Sequence, residues 1–118
     1  MKTAKRFLMI IALGVMTILR VDAQIPGFEW AGSMGGTSEN WCYSMASDPS
    51  GNVFLGGYFS GTTDFDPGPG VYNLTSKGSD DICIEKLDPN GNFLWAHSFG
   101  DTSFDRSFSL AVDAYGNV

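Results

Sequence analysis

The chain holds 118 residues, of which 13 are acidic and 7 are basic, so it carries a formal net charge of −6 with 14% aromatic side chains. A surface this acidic repels phosphate backbones and anionic lipid headgroups. The composition therefore argues against nucleic-acid partners and against peripheral binding to a membrane.

The N-terminal segment is predicted to be an export signal. Lys2, Lys5 and Arg6 precede an apolar run of 13 residues that ends at Leu19, and small residues around Ala23 suit a signal peptidase. The run is shorter than the roughly 20 apolar residues of a spanning helix, so a retained anchor is the less favoured alternative. Removing residues 1–23 leaves 3 basic side chains against 12 carboxylates, a net charge of −9, and no membrane contact is expected afterwards.

The rest of the chain repeats itself at a constant offset. Residues 28–53 overlay residues 93–118 at an offset of 65, with 13 identities in 26 positions. A fixed long period is typical of stacked supersecondary units, each too small to bury its own apolar surface. The recurring positions include Phe28 and Phe93, Trp30 and Trp95, and Asp48 and Asp113.

Three similar motifs predict hairpin tips. They begin at Asp48, Asp88 and Asp113, with glycine fourth and asparagine fifth. Aspartate favours the first position of a type I turn, and glycine supplies the positive φ that lets an antiparallel strand resume.

Strands are predicted on either side of these tips, and a long connection at residues 60–79 joins the two hairpins of a unit. One repeat then supplies four antiparallel strands, apolar on both faces, and no 3.6-residue period follows residue 23. This pattern indicates an all-β protein built of β-propeller blades, about one and a half of which are present. The predicted strands are Tyr43–Ser47, Val53–Phe59, a short one at Val71–Leu74, Ile82–Leu87, Phe93–Phe99 and Phe108–Val112.

The predicted domain organisation is therefore a signal peptide at residues 1–23 and, from the repeat, a propeller segment at residues 24–118. Within the segment we expect a first strand at residues 28–34, one blade at about residues 43–99, and a truncated start of the next blade at residues 107–118. The first strand overlays the fourth strand of the repeat, so it is positioned to close a ring with further blades of the same, longer chain.

Several of these elements resemble the SBBP-type repeat of bacterial β-propellers. They are the first turn with Gly56-Gly57-Tyr58-Phe59, then Asp64-Phe65-Asp66-Pro67-Gly68, and then the second turn with Trp95-Ala96. The resemblance covers residues 28–118. It implies an exported or cell-surface protein of a Gram-negative bacterium, in some cases sent out by type IX secretion, and it implies no reaction and no catalytic residue.

Asp64 and Asp66 are weak candidates for calcium ligands, because carboxylates on bent backbone suit Ca²⁺. Their spacing does not match an EF-hand loop, and the alternative is that both accept backbone N–H bonds to hold the connection. No other cofactor is expected.

Other residues that might carry chemistry have simpler interpretations. His97 is predicted to be a packed or rim residue that shares one strand face with Phe93, Trp95 and Phe99, because no nucleophile stands at a motif spacing from it. Trp30, Trp95, Tyr58 and Phe59 are expected to pack between blades rather than stack on sugars. Cys42 and Cys83 are compatible either with a disulfide or with two free thiols.

The sequence therefore favours a non-catalytic exported scaffold that presents loops for binding a protein or a glycan. Two alternatives remain open at this point. One is the N-terminal part of a secreted polysaccharide hydrolase or lyase whose catalytic residues lie in blades beyond residue 118. The other is a spacer without a ligand of its own.

Overall fold

The computed structural model describes residues 27–118, so the predicted signal peptide lies outside the described residues. Every regular element in this range is a β-strand, which confirms the predicted all-β class. None of these residues forms a helix long and apolar enough to cross a membrane.

Seven strands form two antiparallel sheets. The larger sheet has the order β2-β3-β6-β7, and the smaller has the order β1-β4-β5. The strands are β1 (Gly35–Gly36), β2 (Asn40–Ser47), β3 (Val53–Phe59), β4 (Thr62–Asp64), β5 (Asn73–Thr75), β6 (Asp81–Leu87) and β7 (Phe93–Phe99).

The strands of the larger sheet follow the sequence prediction closely, since β3 and β7 have the predicted bounds while β2 and β6 begin slightly earlier. Two predicted strands are not formed. Residues 28–34 and Phe108–Val112 do not form strands. A strand requires a ladder of hydrogen bonds to a neighbouring strand, and neither segment has such a neighbour among residues 27–118. The start of the next blade is therefore present as a packed segment and not as a strand.

All three predicted hairpin tips adopt the same turn. At the second tip, Gly91 has φ of 80°, and its N–H donates to the carbonyl oxygen of Asp88 at 3.0 Å. Oδ1 of Asp88 accepts the backbone N–H groups of Asn90 and Asn92, and Oδ2 accepts the side-chain amide of Asn92 at 2.8 Å. The same bonds recur in the tips that begin at Asp48 and Asp113. The asparagine at the fifth position therefore stabilises each turn by donating two hydrogen bonds to the aspartate at the first.

The long connection is more structured than the sequence predicted. Its two short strands, β4 and β5, form a hairpin whose outer edge pairs with β1. The short strand expected at Val71–Leu74 therefore lies slightly later, at β5, and β4 was not predicted. The loop between them places Phe65 in the core, 5% exposed, with its ring centroid 5.2 Å from that of Phe59.

Two bulges decide which side chains share a face of the larger sheet. One lies at Tyr43 in β2, and the other lies at Leu94 in β7, where Phe93 pairs with Leu87 but Trp95 pairs with Lys86. The second bulge reverses the alternation, so Phe93 joins the buried cluster beneath the smaller sheet. The prediction that Phe93 shares a face with Trp95, His97 and Phe99 is therefore wrong.

The opposite face of the sheet is covered by residues that follow β7. The N–H of Leu110 donates to Oγ of Ser44 at 3.0 Å, and the Leu110 side chain lies where a Cβ on Gly56 would stand. The ring centroids of Phe108 and Tyr43 lie 5.3 Å apart. The segment that the repeat assigns to the next blade thus packs against the larger sheet.

The N-terminal segment packs on the second hairpin tip. Nε1 of Trp30 donates to the carbonyl oxygen of Pro89 at 3.0 Å, and its ring covers Gly91 so closely that a Cβ there would stand 2.6 Å from it. Trp30 therefore contacts a turn, whereas its repeat counterpart Trp95 contacts Phe54 on the sheet, with centroids 6.1 Å apart.

We expect Trp30→Asp to lower the melting temperature by about 5–10 °C, because it removes this hydrogen bond and puts a charge against an apolar contact. Circular dichroism during heating would measure the shift. Phe28→Asp is the matched control in the same segment, since Phe28 is 84% exposed. Equal melting of the two variants would contradict the assigned role of Trp30.

Candidate functional site

The described part of the chain contains a cavity between the larger sheet and the β1-β4-β5 sheet, with a volume of about 130 Å³. Apolar and aromatic side chains supply most of its walls. The main lining residues are Trp41, Cys42, Leu55, Phe59, Phe65 and Cys83, together with Met34, Thr63 and Glu85.

Glu85 is the one carboxylate among these lining residues. It projects from β6 on the same face as Cys83 and Leu87, and its side chain is 2% exposed. Oε1 accepts no hydrogen bond from any residue in the range 27–118. Burial, assisted by the negative charge of Asp66, raises the pKa of Glu85 to about 8, so the carboxyl is mainly protonated at neutral pH.

Glu85 was not identified from the sequence. The sequence did hold one signal: Glu85 alternates along β6 with Cys83 and Leu87, so it lies on a strand face where apolar residues are expected. A buried acid without a partner costs free energy, and such groups are often retained for function.

Cys42 and Cys83 lie on either side of Gly57, since both pair with that residue, one from β2 and one from β6. Both thiols are free. Because β3 runs between them, their Cα atoms are roughly 10 Å apart, two strand spacings, which exceeds the reach of a disulfide. Burial raises the pKa of Cys83 to about 12, so this thiol stays neutral and unreactive.

Gly57 is required by the close approach of β2. A Cβ on this residue would overlap the carbonyl oxygen of Trp41, next to the bulge at Tyr43. We expect Gly57→Ala to lower the free energy of unfolding by about 1–3 kcal/mol through overpacking. Urea unfolding monitored by tryptophan fluorescence would measure this loss. Gly35→Ala is the control, because nothing lies within 4 Å of its Cβ position, and an equal loss there would refute the explanation.

Asp64 and Asp66, the calcium candidates, hold the loop that carries Phe65. Oδ1 of Asp64 accepts the N–H groups of Tyr72 at 2.8 Å and Asp66 at 3.0 Å, and these bonds lower its pKa. Oδ1 of Asp66 accepts the N–H of Gly68 at 2.7 Å. Within residues 27–118 no group of three or more potential ligands converges on one point, and calcium binding by Asp64 and Asp66 stays a prediction.

His97 is exposed, and its ring centroid lies 5.2 Å from that of Trp95 on the face away from the cavity. Of the aromatic residues expected to pack between blades, Phe59 instead packs within this unit, against Phe65. Tyr58 is 5% exposed, and Arg106 from the connection to the next segment stacks on its ring at 4.5 Å.

Arg106 also forms an ion pair that the sequence did not reveal. Its Nε and its terminal nitrogen both lie 2.6 Å from Oδ2 of Asp80, which is 4% exposed. Asp80 further pairs with Phe104 in a parallel bridge. The pair thus fastens the connection after β7 to the start of β6, an inner strand of the larger sheet. Only the folded chain brings these distant residues together.

The larger sheet is a four-stranded antiparallel blade of the β-propeller type. A curated relative agrees with this class: an uncharacterized WD repeat-containing protein of Acanthamoeba polyphaga mimivirus is 30% identical over 103 residues. The match covers 75% of this chain and only 7% of the viral protein, so the chain spans a small part of that relative's length. No family model matches the chain, and no solved structure matches it.

Proposed function

We propose that this chain is a segment of a non-catalytic, exported β-propeller scaffold of the SBBP type, and that its loops bind a protein or a glycan. The observation that carries this proposal is the packing of Leu110, from the segment that the repeat assigns to the next blade, against Gly56, as expected where one unit stacks on another. Stacked units of this kind build a rigid ring whose loops are free to vary.

The loop between β4 and β5 is the binding surface that we propose. Val71 is 72% exposed and Tyr72 is 38% exposed, while the turns at Asp64 and Asp66 fix the backbone beneath them. The Tyr72 ring is held against that of Phe93, with the ring centroids 4.7 Å apart. A partly exposed aromatic side chain held on a fixed loop suits contact with a protein surface or a sugar ring. The WD repeat-containing relative supports the scaffold and is silent on the ligand.

A glycan array and a proteomic pull-down with the complete exported protein would test this function. We expect a ligand whose binding weakens at least about tenfold in a Val71→Ser and Tyr72→Ser double variant, as for a contact that contributes more than about 1.4 kcal/mol. Leu94→Ser, at a residue that is 47% exposed on a different part of the surface, is the control. The proposal would be refuted if the double variant and Leu94→Ser lose binding equally, or if neither the glycan array nor the pull-down finds a ligand.

Export is tested separately. We expect residues 1–23 to direct a reporter enzyme out of the cytoplasm of a Gram-negative host, and the mature protein to begin after Ala23. Mass spectrometry of the N-terminal peptide would establish the cleavage site. A cytoplasmic reporter with an intact N-terminus would contradict this part of the proposal.

A further inference from the structure

The cavity beside Glu85 has no part in the scaffold or loop functions described above. Its volume of about 130 Å³ is well below the roughly 300 Å³ at which drug-sized ligand sites begin, and it matches a single side chain or a small organic ion. It also reaches the surface, since Cys42 in its wall is exposed. A small group can therefore enter it.

We propose that this cavity binds a primary alkylammonium group, with the carboxylate of Glu85 as its counter-ion. Oε1 of Glu85 has no hydrogen-bond partner in residues 27–118, and it is buried among apolar walls. An ammonium group supplies the missing donors and the opposite charge in one step. Its apolar stem suits the side chains of Leu55 and Phe65 along the wall.

The electrostatic surroundings favour a cation over an anion or a neutral ligand. The negative charge of Asp66 acts on Glu85 from the loop after β4, and no basic side chain lines the cavity. Phe59 and Phe65 contribute aromatic rings, whose faces attract organic cations. A metal ion fits less well, because the cavity wall brings no cluster of three potential ligands together within the described residues.

Binding is coupled to the release of one proton. The carboxyl of Glu85 is protonated before the ammonium enters, and its O–H proton passes to solvent as the ion pair forms, while the ammonium keeps all its protons. The other titratable groups that face this carboxyl are Asp66 from the loop after β4, Cys42 from β2 and Cys83 from β6. Because the pKa of Glu85 is raised to about 8, affinity should rise about 50-fold from pH 6 to pH 8.

Isothermal titration of the purified chain with n-butylammonium chloride tests the site, with 1-butanol as the uncharged analogue of the same length. We expect the ammonium to bind, the alcohol to bind far more weakly, and Glu85→Gln to reduce the ammonium affinity at least tenfold. Glu39→Gln removes one exposed carboxylate outside the cavity and should leave the affinity unchanged. Titration in two buffers of different ionisation enthalpy counts the released proton.

A second titration separates the two sources of such a group. If a lysine side chain of another protein surface is the ligand, Nα-acetyl-lysine methylamide binds as n-butylammonium does. If a free amine is the ligand, only n-butylammonium binds.

Three results would overturn the proposal: no binding of either cation, equal binding of 1-butanol, or unchanged affinity in Glu85→Gln. If Glu85→Gln fails to fold, the wild-type chain still tests the proposal. Binding of n-butylammonium without proton release, or without an increase in affinity from pH 6 to pH 8, would refute the role of Glu85. Val71 and Tyr72 do not line this cavity, and Glu85 lies outside the loop between β4 and β5, so the two proposals can fail independently.

Discussion

Replacing Phe59 by alanine is expected to lower the free energy of unfolding by about 3–5 kcal/mol. Phe59 is fully buried, and it forms the centre of the cluster that contains Phe65 and Ala96. Truncation removes its edge-to-face contact with Phe65 and leaves a hole between the two sheets, which neither sheet can fill by a small shift. Urea unfolding monitored by circular dichroism would measure the loss.

Phe28→Ala is the control for this prediction, because Phe28 is the same residue type at 84% exposure. We expect its free energy of unfolding to change by less than about 0.5 kcal/mol. A loss in Phe59→Ala no greater than that in Phe28→Ala would mean that the two sheets are not held together by this cluster.

Replacing Glu85 by glutamine is expected to stabilise the chain at alkaline pH by on the order of 2–4 kcal/mol, because the raised pKa of Glu85 makes its ionisation costly in the folded chain. The pKa of Glu85 is about 8 in the folded chain against 4.5 for a free glutamate side chain, chiefly because burial penalises the charged form. Between these two values the folded state binds more protons than the unfolded state. The contribution of Glu85 to stability is therefore complete below about pH 4.5 and is lost progressively as the pH rises to about 8.

Unfolding free energies measured from pH 4 to pH 9 would show this as a difference between wild type and Glu85→Gln that grows with pH. Glu39→Gln serves as the exposed control and should run parallel to wild type throughout. Parallel curves for wild type and Glu85→Gln would show that the Glu85 carboxyl is solvated in the folded chain.

The parts of the fold that depend on nearby residues could be predicted from the sequence. The turn at Asp88 is specified by five consecutive residues, and β3 and β7 begin where they were predicted because each directly follows such a turn. Val53–Phe59 needed no knowledge of its neighbours to be recognised as a strand.

The parts that depend on distant partners could not be predicted in this way. β4 holds only three residues, and it pairs with β5 on one side and with Gly35–Gly36, from a remote part of the chain, on the other. The bulge at Leu94 is defined by how β7 pairs with Lys86 and Leu87 of β6, and no residue in β7 itself indicates it. The bulge moves the Phe93 side chain to the other face of the sheet. The cavity beside Glu85 arises only when both sheets are in place.

The turn that begins at Asp113 has a consequence for how such a chain avoids misassembly. Its hydrogen bonds between Asp113 and Asn117 all lie within five consecutive residues, so local interactions form this turn. Repeated segments that share half of their residues run the risk that a strand of one copy pairs with its counterpart in another. Because local contacts form faster than distant ones, such a turn favours pairing of each strand with the next strand in sequence over pairing with the equivalent strand of another repeat.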